Sequence, residues 1–343
     1  MEERLLEVED LTVEFATYGG NVKAVRGVSF HVDQGETLAI VGESGCGKSV
    51  TVQSIMGIIP MPPGKITDGR ARLKGKNILG LPPKEANKFR GVEIGMIFQD
   101  PMTSLNPTMT VGNQISETLM VHRGFSHKAA YDRAVELLDK TRIPEARKRA
   151  AQYPFQYSGG MLQRAMIAQS LACNPSILIA DEPTTALDVT IQAQILELME
   201  ELQRIEHMSI ILITHDLAVV ARMADRVAVM YAGQIVETGS VDDIFYRSSH
   251  PYTLGLKDAM PSNREQRNKE LRPILGSPPD LFDPPGGCSY FARCPYGMKI
   301  CKTKMPPEFP VDENFDHVSR CWLQHPEAPE HERISQEGKR HAG

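Results

Sequence analysis

The sequence lacks a long hydrophobic run, an excess of basic charge and a basic-then-apolar segment at its start. No apolar stretch approaches the ~18 residues that a membrane-spanning helix needs. With 38 Lys and Arg against 43 Asp and Glu, the net charge is −5, which excludes a basic surface for nucleic acid over the whole protein. The acidic first residues, Met1 to Arg4, do not match a signal peptide. We therefore expect a cytosolic chain, in which structural disulfides are rare.

The composition is that of an ordinary globular protein, with 41% hydrophobic and 24% charged residues. At ~150 residues per domain, the 343 residues predict about two domains. Four of the six cysteines cluster near the end: Cys288, Cys294, Cys301 and Cys321. Cys46 and Cys173 lie apart, and we interpret them as ordinary thiols.

Hydrophobic periodicity predicts an α/β fold in the first 240 residues. Alternation over residues 5–15 predicts an edge strand, and a second strand is predicted over 22–32. Nearly continuous apolar runs predict strands buried on both faces of a parallel sheet: residues 37–41, 176–180, 210–214 and 227–230. Helical spacing predicts a helix over 126–142, with Ala130, Ala134, Leu137 and Leu138 on one face, and another over 191–205. A helix over about 48–57 is predicted after a glycine-rich loop. Residues from about 101 to 165 are interpreted as a mainly helical insertion.

The composition changes after Pro261. A polar stretch is followed by a Pro- and Gly-rich linker over 273–287, a compact cysteine-bearing segment and a tail of disordered composition. The predicted divisions are residues 1–240, a connecting helical segment 241–262, a C-terminal module 263–325 and a tail 326–343.

Residues 42–49 fit the phosphate-loop pattern G-x-x-x-x-G-K-[ST]. Its glycines allow backbone N–H groups to surround phosphate oxygens at a helix N-terminus. Lys48 would reach the β- and γ-phosphates, and the Ser49 hydroxyl would ligate Mg²⁺. The motif follows a predicted buried strand and precedes a helix, which is the expected context. The predicted nucleotide contacts are Gly42, Glu43, Ser44, Gly45, Cys46, Gly47, Lys48, Ser49 and Val50.

Two further features fit phosphate chemistry. Asp181 and Glu182 end a buried strand, where Asp181 could hold Mg²⁺ and Glu182 could polarise an attacking water. The alternative for this pair is a helix N-cap. Ser158, Gly159 and Gly160 precede a helix-like run and form a second anion cradle, for which a simple capped helix start is the alternative. Because one nucleotide does not need two cradles in one chain, we expect the second to serve a partner subunit.

In combination, these motifs resemble an ABC transporter ATP-binding subunit over residues 5 to about 240. Residues 42–49 resemble Walker A, and residues 177–181 resemble Walker B with Glu182 as the catalytic glutamate. Residues 158–162 resemble the ABC signature, with Met161 where the commonest form has glutamine. The resemblance implies an ABC cassette of the P-loop NTPase class, with a RecA-like parallel sheet core, an antiparallel β subdomain and a helical subdomain, plus a small loop-rich C-terminal cysteine module.

The same resemblance assigns the remaining nucleotide-site residues. Gln99 resembles the glutamine of the Q-loop, which in this family senses Mg²⁺ and the membrane subunit. Asp188 resembles the aspartate of the D-loop, and His215 resembles the switch histidine. Either Phe15 or Tyr18 is similar in position to the aromatic residue that stacks on adenine. The resemblance implies that two ATP molecules lie between two subunits. A water oriented by Glu182 attacks the γ-phosphate, while Lys48, Mg²⁺ and His215 stabilise the transition state.

The four clustered cysteines are separated by five, six and nineteen residues and suggest metal or cluster ligation. They lack the Cys-x-x-Cys spacing frequent in zinc sites. Residues 278–281, 287–288, 291–295 and 321–322 resemble the C-terminal extension of the dipeptide/oligopeptide branch of ABC ATPases, a branch that includes nickel importers. Some members of that branch carry a 4Fe–4S cluster, so the resemblance favours this cluster, with zinc as runner-up and unligated thiols as a third option.

The expected function is ATP-driven import of dipeptides or oligopeptides. A nickel importer ATPase and a soluble, non-transport ABC ATPase are the alternatives. The resemblance implies a second, non-identical ATPase subunit, two integral membrane permeases and, indirectly, an extracytoplasmic substrate-binding protein, but no nucleic acid. It places the chain peripherally on the cytoplasmic face of a prokaryotic cell membrane.

Overall fold

The computed structural model describes residues 4–185, 187–259, 274–313 and 315–329. The strands of these residues are β1 (Arg4–Thr17), β2 (Gly20–Asp33), β3 (Thr37–Val41), β4 (Gly64–Leu73), β5 (Lys76–Asn77), β6 (Ile94–Ile97), β7 (Ile177–Asp181), β8 (Ser209–Thr214), β9 (Arg226–Tyr231), β10 (Gln234–Ser240), β11 (Phe309–Pro310) and β12 (Val318–Ser319). The predicted polar stretch before residue 273 and nearly all of the predicted tail lie outside the described residues.

The helices of the described residues are α1 (Lys48–Ile55), α2 (Pro83–Ala86), α3 (Pro101–Ser104), α4 (Val111–Arg123), α5 (His127–Lys140), α6 (Ala146–Ala150), α7 (Gly159–Ser170), α8 (Val189–Glu206), α9 (Leu217–Met223), α10 (Val241–Tyr246), α11 (Pro251–Asp258) and α12 (Lys299–Thr303). None of them is long and apolar enough to cross a bilayer.

The chain divides into two compact units. The first comprises the described residues of Met1–Leu5, Val32–Thr37 and Gly80–Ile213. The second comprises Leu6–His31, Leu38–Leu79 and the described residues from Thr214 onward. Each unit is formed by segments that are distant in the sequence, so neither corresponds to one continuous stretch.

The first unit combines parallel strands with a helical layer. Strand β7 pairs in parallel with β6 on one side and with β8 on the other, and all three strands are buried. Helices α4 to α7 enclose an apolar cluster of their own. The prediction of a helix over 126–142 is confirmed: Ser126 caps α5, and the predicted inward residues are buried, namely Ala130, Ala134, Leu137 and Leu138.

The antiparallel sheet of the second unit has the order β2-β1-β4-β5. Strand β1 pairs with β4 in a register that places Leu6 opposite Leu73 and Phe15 opposite Gly64. Because β1 has a neighbour on each side, the prediction of an edge strand over residues 5–15 was wrong. Alternation reports that one face of a strand is buried, but it carries no information on whether both backbone edges are paired.

The remaining strands of the second unit run in the order β11-β12-β10-β9-β3. Strand β3 pairs in parallel with β9, so the phosphate-loop strand lies beside residues 226–229. The C-terminal segment contributes the two short strands β11 and β12, and β12 pairs with β10 through Glu237 and Ser319. Tyr290, which belongs to the C-terminal segment, is part of the buried cluster that includes Tyr231 and Tyr252. The C-terminal segment therefore shares a hydrophobic core with the strands of the second unit.

Candidate functional site

The phosphate loop lies between β3 and α1 in the second unit. Gly42 and Gly47 have φ angles of 154° and 104°, which L-residues with side chains rarely adopt. A Cβ at Gly42 would lie 2.1 Å from the Met230 carbonyl oxygen, and one at Gly47 would lie 2.4 Å from that of Ala24. Since both obstacles are backbone atoms, the conformation of the loop requires glycine at these two positions.

Lys48 lies along this loop and is buried. Its Nζ donates to the carbonyl oxygens of Gly42 at 2.8 Å and Glu43 at 3.0 Å. The ammonium group therefore lies beside the N-terminus of α1, where the helix carries partial positive charge and unpaired N–H groups. This arrangement can bind the phosphates of a nucleotide. Ser49 and Val50 follow in the first turn of α1 and are half-buried.

Cys46, within the loop, contributes through its backbone. Its carbonyl oxygen accepts a hydrogen bond from the Gly233 N–H at 2.9 Å. Burial raises the pKa of its thiol, so the side chain remains protonated near neutral pH. Cys173 is also buried, and burial raises its pKa as well. Neither cysteine has the lowered pKa of a reactive thiol.

In the first unit, Gln99 and Glu182 are brought together although 83 positions separate them. The Gln99 Nε2 donates to Glu182 Oε2 at 3.0 Å, and the Thr185 hydroxyl donates to the same oxygen at 2.8 Å. Asp181 is buried at the end of β7. Helix α8 begins only at Val189, so the alternative that this carboxylate pair caps a helix was wrong. The contact with Thr185 was not predicted from the sequence.

The signature turn and Asp188 also lie in the first unit. The Ser158 Oγ accepts from the Met161 N–H at 3.4 Å and caps α7, while Asp188 caps α8 by accepting from the Ile191 N–H at 2.9 Å. A Cβ at Gly160 would lie 2.9 Å from the Ile191 side chain. The two turns therefore pack together through Ile191, and Ser158 remains exposed. Ala186, which lies two residues before Asp188 in the predicted D-loop, is outside the described residues.

His215 and the two candidate adenine-stacking residues belong to the second unit. His215 is exposed and follows β8 directly. Tyr18 lies in the turn between β1 and β2 with its side chain fully exposed (114% relative exposure). Phe15 is half-buried, with a ring atom 3.1 Å from where a Cβ of Gly64 would stand. The ring of Tyr18 is thus the more accessible of the two.

All four clustered cysteines line one small cavity, which is also lined by His250 and the ring of Tyr290. The sequence pattern indicated the cysteines but not His250. His250 is fully buried, and its Nδ1 accepts the Tyr252 N–H at 3.1 Å. Burial lowers the pKa of His250 to about 4, so its imidazole is neutral at pH 7.

Burial raises the pKa of three of the four thiols that line this cavity. Burial raises the pKa of Cys294 to about 11 and also raises the pKa values of Cys288 and Cys321. The backbone connects two of the cysteines directly, because the Cys288 N–H donates to the Cys301 carbonyl oxygen at 2.8 Å. Within the part of the chain that the structure describes, no group of three or more His, Cys, Asp or Glu side chains is arranged to hold a single metal ion.

Comparison with known proteins shows the family of this chain. The family described as "ABC transporter" matches residues 25–185, and "Oligopeptide/dipeptide transporter, C-terminal region" matches residues 236–301. The oligopeptide transport ATP-binding protein OppD of Bacillus subtilis (strain 168) is 60% identical over 326 residues, which cover 95% of this chain and 90% of that relative. The chain belongs to the ABC transporter ATP-binding proteins.

A second relative and a solved structure agree with this family. The dipeptide transport ATP-binding protein DppD of Bacillus subtilis (strain 168) is 55% identical over 337 residues, covering 98% of this chain and 99% of the relative. The dimeric post-hydrolysis ATP-binding cassette MJ0796, bound to ADP and Pi, is similar with a TM-score of 0.62 and 28% identity, over 69% of this chain and 98% of that chain. The predicted resemblance and the predicted ABC cassette fold are confirmed.

Proposed function

We propose that this ABC ATPase is the energy-coupling subunit of an importer for dipeptides or oligopeptides. The observation that supports this proposal is the joining, in one chain, of an intact phosphate loop to a C-terminal region of the oligopeptide/dipeptide transporter type. The similar proteins OppD and DppD carry oligopeptide and dipeptide transport in their names. Binding and hydrolysis of ATP with Mg²⁺ would supply the energy for import.

The proposed chemistry assigns a role to each residue that the family resemblance identifies. By the family resemblance, Lys48 and the N–H groups of the phosphate loop would bind the phosphates, and Ser49 and Asp181 would be ligands of Mg²⁺. The ion would neutralise charge on the phosphate oxygens. Gln99 would be a further contact of the ion. Because the Gln99 amide and the Thr185 hydroxyl both donate to one Glu182 oxygen, they orient the carboxylate that activates water.

His215 and the signature turn supply the remaining stabilisation. His215 donates to the γ-phosphate as negative charge develops on it. The exposed N-terminus of α7, with Ser158, Gly159 and Gly160, binds the γ-phosphate of the ATP held by the partner subunit. Asp188 lies beside this turn and takes part in the same subunit interface. We infer a heterodimer with a non-identical ATPase subunit.

The complex would also contain two integral membrane permeases, with an extracytoplasmic binding protein that delivers the peptide. This ATPase would then lie on the cytoplasmic face of the membrane. We propose that residues 1–240 form the cassette and 263–325 a C-terminal module, connected by residues 241–262.

We assign adenine stacking to Tyr18 in preference to Phe15. Base stacking needs an accessible aromatic face. The ring of Tyr18 is fully exposed, whereas Phe15 packs against Gly64.

We propose that the four-cysteine cavity holds a 4Fe–4S cluster. Four cysteines line one cavity together with apolar and aromatic residues, and thiolates are the ligands that such a cluster requires. A single zinc ion would need all four sulfurs at about 2.3 Å from one point. The described residues contain no ready-made group of that kind. The cluster would connect segments of the C-terminal module, a structural role, because nothing in ATP hydrolysis requires electrons.

Metal analysis tests the cluster. About four iron atoms and inorganic sulfide per anaerobically purified chain are expected, with loss of iron in Cys301→Ser and retention in Cys173→Ser, whose thiol lies elsewhere. Stoichiometric zinc without iron would favour the runner-up, and a chain free of both metals would favour unligated thiols.

Reconstitution tests the transport function. The chain, co-purified with its membrane subunits in proteoliposomes, is expected to import labelled peptide in the presence of ATP. Glu182→Gln should retain ATP binding but lower turnover by about 10²- to 10⁴-fold, because the general base is removed. Undiminished hydrolysis would contradict the role of Glu182. Nickel uptake without peptide uptake, or no association with membrane subunits, would contradict peptide import.

A further inference from the structure

The phosphate loop is held from outside by a residue of the four-cysteine segment. The Arg293 Nη1 donates to Glu43 Oε2 at 2.6 Å, and Nη2 donates to Glu43 Oε1 at 2.9 Å. The two residues are 250 positions apart. This is a bidentate, charge-assisted pair, the geometry in which an arginine restricts the position of a carboxylate most strongly.

Arg293 is itself held rigidly. Its side chain is only 4% exposed. Its Nε donates to the Leu275 carbonyl oxygen at 3.0 Å, and Nη1 also donates to the Tyr231 hydroxyl at 3.2 Å. The guanidinium carbon lies 5.7 and 5.9 Å from the ring centroids of Tyr231 and Tyr290. A buried guanidinium needs a charged partner to offset its lost hydration, and Glu43 is that partner.

A second contact holds the backbone of the same loop residue. The Glu43 N–H donates to the Tyr252 hydroxyl at 2.8 Å, and Tyr252 is fully buried. The phosphate-loop pattern leaves position 43 open, so binding of phosphate does not itself require a carboxylate there. The side chain of Glu43 is nevertheless held by Arg293 and its backbone N–H by Tyr252, and both of these residues come after the cassette motifs in the chain.

Arg293 is connected to the cysteine cavity by a single short turn. It ends the 3-10 helix Phe291–Arg293, and the next residue is Cys294. The Phe291 N–H donates to the Cys288 carbonyl oxygen, and the Cys294 N–H donates to that of Phe291. The position of Arg293 therefore depends on a turn whose two ends are cysteines of the cavity.

We propose that Arg293 is a positioning residue for nucleotide binding: through Glu43 it holds the phosphate loop in the conformation that binds ATP, and it couples ATP affinity to the integrity of the four-cysteine segment. The proposal rests on the ATP-binding role of the loop. It does not depend on the cargo or on which metal the cysteines bind.

A double-mutant cycle on the full-length chain tests this proposal. Binding of a fluorescent ATP analogue with Mg²⁺ is measured for wild type, Glu43→Gln, Arg293→Gln and the double variant. Each single variant should raise Kd by about tenfold, and the double variant should be no weaker than the single ones, because one interaction is lost in all three. Arg293→Lys should recover only part of the affinity, since lysine cannot form the bidentate pair.

The matched control is Arg320→Gln. Arg320 belongs to the same C-terminal segment and donates to Glu308 Oε1 from Nε at 3.2 Å and from Nη2 at 2.8 Å, and Glu308 is not a residue of the phosphate loop. Its Kd should equal that of wild type. In the assembled transporter, Glu43→Gln should raise KM for ATP and leave kcat within about twofold, because the reacting atoms are not contacted.

Three results would overturn the proposal: a Kd within about twofold of wild type for Glu43→Gln, strictly additive effects in the cycle, or an equal loss in Arg320→Gln. If Arg293→Gln does not fold, as judged by circular dichroism, Glu43→Gln and Arg293→Lys decide, because both leave the cysteine segment in place. A wild-type chain that binds no ATP would instead contradict the proposed function.

Discussion

Two glycine-rich turns precede helices in this chain, and they differ in how they are built. In the phosphate loop, Gly42 and Gly47 have positive φ angles and approach backbone carbonyls, and the buried Lys48 lies across the loop. In the signature turn, Gly159 and Gly160 belong to the first turn of α7, and the exposed Ser158 caps it. The phosphate loop depends on glycine conformations and on a buried lysine, whereas the signature turn is an ordinary helix start.

The difference indicates where each turn finds its ligand. The phosphate loop contains a lysine at a helix N-terminus and two glycines that no other residue can replace without a backbone clash, so it can bind phosphate within one chain. The signature turn offers N–H groups and a hydroxyl on an exposed surface without a lysine of its own. We interpret it as one half of a site that the partner subunit completes. Three substitutions test this comparison.

The largest effect is expected at Gly47. In Gly47→Ala, the new Cβ would meet the Ala24 carbonyl oxygen at 2.4 Å with φ at 104°, so affinity for ATP should fall by about 100-fold or more. Gly45→Ala is the matched control, because Gly45 also has positive φ but a Cβ there would meet no atom within 4 Å. Equilibrium binding to the full-length chain measures both. Equal losses in the two variants would show that backbone strain alone, and not the close contact, limits the loop.

An intermediate effect is expected at Ser158. Ser158→Ala should leave ATP binding by the separate chain unchanged but lower the ATPase rate of the assembled complex by about tenfold, because one hydrogen bond to the partner's ATP is lost. Ser126→Ala controls for the loss of a helix cap, since Ser126 and Ser158 each accept one N–H at 3.4 Å. If Ser158→Ala weakens binding by the separate chain, the turn serves its own nucleotide and the comparison fails.

The smallest effect is expected from removal of the aromatic ring that stacks on adenine. Tyr18→Ala should weaken ATP binding by the separate chain by about tenfold, the usual contribution of one base stacked on an aromatic ring. Phe15→Ala should leave ATP affinity close to that of wild type while lowering the melting temperature, because Phe15 packs on Gly64. The reverse pattern of affinities would assign stacking to Phe15.

Features that depend on neighbours in the sequence were predicted well. Helix α5 and its buried face follow from local spacing, and the structure confirms them and adds Ser126 as the N-cap residue. The edge-strand prediction for β1 failed because strand pairing is decided by β4, about fifty residues later in the chain. The helix-cap alternative for Asp181 and Glu182 failed because α8 begins only after a further turn at Val189. The contact of Thr185 with Glu182 spans three residues of a turn that the sequence pattern did not indicate, and His250 reaches the cysteines only in the folded chain.

The sequence by itself determined the family, the phosphate loop and the four-cysteine cluster, because each is carried by residue types at short, characteristic spacings. The tertiary structure alone decided that Gln99 orients toward Glu182, that four cysteines share one cavity and that Arg293 binds Glu43. Such contacts join residues far apart in the chain, and they form only when packing brings buried polar groups to partners that offset their lost hydration.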